Sequence, residues 1–280
     1  MYLGLGNLTR SQNKTQQAIN YYKQAEKSPS STVKIQAQLN HLNLLVETQQ
    51  WQLAQAMWNP ILEQLNKLPA TSSNIYARIN LAQSLICLKQ PNLTKEESNS
   101  PIVQQCIASS KNKNLQNTIQ NPKLVLSEAN VSKIQNSNIP EWSDIDKLLI
   151  TASEQAQTLQ DKRAAAYALG YRGAVYQQQN LPEADTFTRQ ALNLAINAKS
   201  PDIAYRWQWQ LGRIAKSQKD FDRAISTYTD AFKNLQSLRG DLVATNPDIQ
   251  FSFRESVEPV YRELVDLLLK RKTTQSQISS

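Results

Sequence analysis

The chain has 280 residues, enough for one or two domains with a buried core, and 31 Lys plus Arg against 23 Asp plus Glu give a formal charge of +8. Hydrophobic residues at 40% and charged ones at 19% exclude a wholly disordered polymer, and no apolar run reaches the roughly 18 residues that cross a bilayer. Only six glycines occur, none between Gly6 and Gly170, which argues against phosphate-cradling loops, a dinucleotide-binding turn or a turn-rich β-sandwich; two cysteines and one histidine cannot furnish a four-ligand zinc site.

In chain order, the first predicted element is a helical pair carrying Leu5-Gly6, then Ala18, Tyr22 and Ala25. The same residue types return near the other end as Leu211-Gly212, Ala224, Tyr228 and Ala231, at identical offsets from the glycine, with Ala215 and Phe221 between. Small residues at Gly6, Ala18, Gly212 and Ala224 let two antiparallel helices approach closely, while Tyr22 and Tyr228 fill the space beside them. A second pair is expected from a helix over Val33 to Thr48 and another around Trp51, Ala54 and Trp58. A third joins Ile75 to Lys89, with Ile75, Ile79, Leu81, Ala82, Leu85, Ile86 and Leu88 at helical spacing, to a helix from Asp144 to Leu159. Between them, residues 90–142 form a polar insertion rich in Asn, Ser, Lys and Gln with several prolines, read as a mostly mobile loop. The fourth pair carries Gly173, Tyr176, Ala184, Ala191 and Leu192; its spacing is one residue short, and Gln179-Asn180 stands where a turn wants a small residue. The last element, 246–272, opens on Asn246-Pro247 as cap and first helical position. It presents Val257, Val260, Tyr261, Leu264, Leu267 and Leu268 as an apolar stripe with Arg254, Glu255, Arg262, Glu263 and Asp266 mostly off it, and Pro259 should kink or split it.

These spacings resemble the tetratricopeptide repeat, a helix–turn–helix of about 34 residues. The resemblance implies an all-α, right-handed superhelical solenoid over 1–280, of about five hairpins, with 246–272 as a C-terminal capping helix. In such arrays the first helices of successive hairpins line a groove that takes peptides or partner helices. In the Gly212 hairpin that face carries Arg206, Trp209, Arg213 and Lys216. An aromatic flanked by cations suits an acidic or carboxylate ligand through paired Arg hydrogen bonds and cation–π contact. The bland alternative packs Trp209 between hairpins and leaves the cations solvated; Trp207, on the other side, reads as core.

The C-terminal third resembles something narrower. Ile203 to Arg213, Leu235 to Asp248 and Phe251 to Tyr261 together are similar to the repeat region of cyanobacterial CHAT-domain proteins, where a caspase-like peptidase module with a His–Cys dyad follows the repeats. The segments Arg163 to Tyr176 and Ala77 to Leu85 fit the same family. That resemblance implies a fragment of a longer protein, with a CHAT module as partner in cis. No catalytic residue carries over, because His41 and Cys87 lie in predicted helices and Cys106 in the insertion. Cys87 and Cys106 are expected free in a reducing compartment and bridged in an oxidising one. Met1 to Arg10 lacks signal-peptide order, which favours the cytoplasm, with export the alternative if the natural start lies upstream.

The expected function is therefore non-catalytic: a protein–protein interaction scaffold, without cofactor or metal, that recruits partners to a peptidase module or regulates it. One rival is a basic helical module attracted to polyanions such as nucleic acid, although the cations are thinly spread and no readout motif accompanies them. The other is a hydrolase with unrecognised active residues.

Overall fold

The computed structural model describes residues 1–89, 139–243 and 258–271, with the side chains of 239–243 excepted. The expected insertion, apart from its last few residues, and the Asn246-Pro247 cap lie outside them. Every regular element among the described residues is an α-helix, and there are eleven. In order they are α1 Tyr2–Ser11, α2 Thr15–Ala25, α3 Ser31–Glu47, α4 Trp51–Asn66, α5 Ser72–Leu88, α6 Trp142–Thr158, α7 Lys162–Gln178, α8 Glu183–Asn197, α9 Pro201–Ser217, α10 Phe221–Val243 and α11 at 258–271. The chain divides into two compact units, Met1–Gln155 and Ala156–Ser280.

Six of the turns between helices are built alike, and none contains glycine. Asn13, Gln49, Gln160, Asn180, Lys199 and Lys219 each adopt a positive φ between 50° and 62°. In each case the next residue's N–H returns to a carbonyl five residues earlier, as in Lys14 N to Thr9 O (2.9 Å) and Asp220 N to Ala215 O (2.9 Å). This six-to-one bond satisfies a carbonyl that the ending helix leaves without a partner. Asn, Gln and Lys carry the positive φ here, each at a steric cost of about 1 kcal/mol or more. Two of these turns pass directly into a cap. Asp161 accepts from Ala164 N (2.9 Å) and Asp220 from Arg223 N (3.1 Å). Ser30 and Thr71 cap α3 and α5 in the same way, and Pro201 stands in the first turn of α9, where its missing N–H is not needed.

In the first unit α1 packs on α2, α2 on α3, α3 on α4 and α4 on α5, while α3 also touches α1 and α5. In the second, α7 packs on α8, α8 on α9 and α9 on α10, while α7 also touches α9. The small residues sit where sequence placed them. A Cβ at Gly6 would overlap the Tyr22 ring, and one at Gly212 would come 2.5 Å from Tyr228 Cδ2. Ala18, Tyr22, Ala54, Ala224, Tyr228 and Ala231 are all fully buried.

The irregular fourth pair has a physical explanation. Where the first and last pairs place a tyrosine against glycine, Thr188 faces Gly173. The smaller side chain leaves room for Gln210 from α9, whose Nε2 donates to Thr188 Oγ1 (2.8 Å) and Gly170 O (3.2 Å). A buried amide thus replaces an aromatic ring, and it ties three helices together. In the first unit Arg78, 2% exposed, donates from Nη2 to Leu65 O (2.6 Å) and from Nη1 to Asn74 O (3.3 Å). It brings a cation to the C-terminal end of α4, where the helix dipole favours positive charge. Burial pushes its guanidinium below its ordinary pKa.

Helix α4 runs through Pro60 and continues to Asn66. Cys87, near the end of α5, is disulfide-bonded, the second of the two states that the sequence leaves open. The only other cysteine, Cys106, lies outside the described residues.

Candidate functional site

The four residues picked out on α9 do not share one environment. Arg206 is half-buried, with its guanidinium carbon 5.3 Å from the Tyr205 ring centroid. Its Nε is buried without a hydrogen-bond partner. Lys216, in the last turn, is half-buried, and its ammonium makes no hydrogen bond or ion pair among the described residues. Trp209 and Arg213 are covered: Trp209 is 1% exposed and Arg213 9%. What covers them is α11.

The contact centres on Glu263. Arg213 donates to its carboxylate twice, from Nε to Oε2 (2.9 Å) and from Nη2 to Oε1 (2.7 Å). Trp209 Nε1 adds a third bond to Oε2 (3.2 Å), and the Tyr228 hydroxyl on α10 a fourth. The guanidinium carbon also lies 5.3 Å from the Trp209 ring centroid. Around this polar centre Val260, Leu264 and Leu267 of α11 are buried with Tyr205, Trp209, Ala224, Tyr228, Ala231 and Leu235. Tyr261 meets Phe232 edge to face at 5.2 Å, and Arg271 pairs with Asp222 at 3.1 Å. An arginine fork, an indole N–H and a phenol converging on one carboxylate form a charge-assisted cluster of the strong kind.

Electrostatics follow from that geometry. Burial alone would raise the Glu263 pKa, but the hydrogen bond and charge of Arg213, with the Tyr228 and Trp209 bonds, hold it below the usual carboxylate value. The Tyr228 phenol is pushed up by burial and then by the neighbouring negative charge. At neutral pH the cluster is thus carboxylate, guanidinium and neutral phenol.

Neither Glu263 nor Tyr228 is among the four residues that the sequence singles out. The spacing makes Tyr228 a packing residue and sets Glu263 mostly off the apolar stripe of the last helix. The structure corrects the second reading: Glu263 is on the buried face, while Leu268 is 46% exposed. The signal was present, because Val260, Glu263, Leu264 and Leu267 fall at the i, i+3, i+4, i+7 spacing of one helix face, so Glu263 occupies an apolar slot.

Trp207 is core, as its position suggested. It is 3% exposed, edge-on to Tyr171 (5.6 Å) and Tyr167 (6.2 Å), and lies against Gly170 so closely that no Cβ would fit there. His41 is packed, 5% exposed, with Nδ1 2.8 Å from Glu26 Oε1. Among the described residues there is no group of three or more His, Cys, Asp or Glu arranged to hold a metal, and no helix is long and apolar enough to cross a membrane. The chain matches no family model and no curated protein.

Proposed function

We propose that this chain is a non-catalytic protein–protein interaction scaffold, built as a right-handed solenoid of tetratricopeptide-like hairpins, whose inner face at Arg206 and Lys216, flanking the Trp209–Arg213 pair that α11 occupies, takes an acidic polypeptide. The observation that carries the reading is the Glu263 cluster. The α9–α10 surface holds a carboxylate on an amphipathic helix, with paired arginine bonds and an aromatic neighbour. Groups arranged for one helix that buries a glutamate have the chemistry to receive another.

The similarity of the C-terminal third to the repeat region of CHAT proteins adds a setting. In that setting the scaffold recruits a substrate or regulator to a caspase-like module, or restrains the module until a partner binds. The Cys87 disulfide favours an oxidising compartment over the cytoplasm. Arg206 and Lys216 are the two groove cations not engaged by Glu263, so they test the reading without disturbing the cluster. A chain carrying Arg206→Ala and Lys216→Ala should fold normally and lose a partner that the wild-type chain retains from the source cell. Unchanged retention would show that the groove lies elsewhere.

A further inference from the structure

We infer that the α9–α10 surface beneath α11 is an exchangeable binding surface, that α11 is its tethered occupant, and that the partner it fits is an amphipathic helix with a glutamate set in its apolar face. This deepens the scaffold reading and rests on it.

The chemistry of the occupant is legible from the contact. Val260, Leu264 and Leu267 are buried at 0%, 8% and 2% exposure, and Glu263 is the one charge in their midst. A competing helix must therefore present an aliphatic residue, a glutamate three positions later, an aliphatic residue directly after it, and another three beyond. An aliphatic residue in place of that glutamate would bury the Arg213 charge without a counter-ion, a penalty that discriminates against purely apolar helices. Arg213 also keeps a buried Nη1 without an acceptor while Glu263 is in place. The resident helix thus leaves one donor of the fork unused, which a partner with a second acceptor nearby would engage.

The remaining face of α11 is not that of a core helix. Val265 is 52% exposed, Leu268 46% and Leu269 60%. The resident helix is held by Val260, Leu264 and Leu267, by the Glu263 carboxylate, by Tyr261 against Phe232 and by an ion pair from Arg271 to Asp222. A helix in the same chain competes intramolecularly with a free one, so a partner gains access when the resident contact is weakened.

The test uses the full chain and a fluorescent synthetic peptide with the sequence of residues 258–271. In a Glu263→Lys chain, two cations face each other, and hydrogen exchange over 260–267 should quicken. The wild-type-sequence peptide should then bind this chain roughly tenfold more tightly than it binds the wild-type chain. Adding Arg213→Ala to the opened chain, or replacing the peptide's glutamate by glutamine, should remove that gain. Leu267→Ala, which loosens the contact by packing alone and leaves all donors in place, should open the surface in the same direction. Unchanged exchange in both variants, or equal peptide affinity for open and wild-type chains, would overturn the inference. So would an opened chain that simply dimerises by trading α11, because the surface would then select its own kind. If the peptide arms succeed while no helix-bearing partner competes with the peptide, the scaffold reading fails and the exchangeable surface stands.

Discussion

At the scale of single residues, space and backbone conformation decide more than side-chain chemistry. Gly4 and Gly6 lie two positions apart in α1 and should respond oppositely to alanine. Nothing lies within 4 Å of a Cβ at Gly4, so Gly4→Ala should stabilise by up to about 1 kcal/mol through helix propensity. Gly6→Ala meets the fully buried Tyr22 ring, and Gly212→Ala the Tyr228 ring; each should destabilise by about 1–3 kcal/mol. Thermal midpoints of the three variants would check the sign at each position. The turns make a second residue-scale prediction. Gln49→Gly and Lys219→Gly relieve a side chain held at φ near 60° and should each raise stability by about 1 kcal/mol, read as a shift in the denaturation midpoint. A loss at either position would mean that the side chain contributes contacts outweighing the backbone relief.

At the scale of elements, the docking of α11 depends on one carboxylate and therefore on pH. Glu263 has its pKa lowered in the folded chain, so its contribution is present above the unfolded carboxylate value and is lost as pH falls through the folded one. Tyr228 has its pKa raised, so its contribution is present below the unfolded tyrosine value and lost only in strong alkali. The contact should accordingly hold at neutral pH and weaken as pH falls below the ordinary glutamate range, seen as faster hydrogen exchange confined to 260–267 before the second unit melts. Arg213→Ala leaves Glu263 buried without its cation and should cost about 3 kcal/mol at pH 7. That difference from wild type should shrink in acid, where the carboxylate is protonated in both chains. A cost independent of pH would point to lost packing rather than lost charge.

At the scale of the whole molecule, the Cys87 disulfide and the net charge make separate demands. Peptide mapping without reductant should recover Cys87 only in a cross-linked peptide, and a free Cys87 thiol would contradict the structure. The charge of +8 should produce weak retention on DNA that falls in parallel for all sequences as salt rises. Retention that depended on sequence would instead favour the nucleic-acid reading over the scaffold. Both measurements bear on where the chain works and what it meets there, and neither depends on α11.

Much of this protein is legible in its sequence because helices and their close pairings are local matters. Helical spacing in Ile75 to Leu88, and the recurrence of Gly, Ala and Tyr at matching offsets, place helices within a few residues of where they lie. The reason is that intrahelical bonds and the fit of a ring over a glycine involve residues near one another in the chain. What faces what over long separations is another question. Sequence proposed Arg213 and Trp209 as groove residues, but it could not say that Glu263, some fifty residues further on, would lie against them. Nor could it say that Gln210 would fill the space left by Thr188. Charge on an amphipathic helix usually points to water, and only the presence of an arginine fork on the opposing surface makes burying it favourable. That pairing is a property of the packed chain, and the tertiary structure alone decided it.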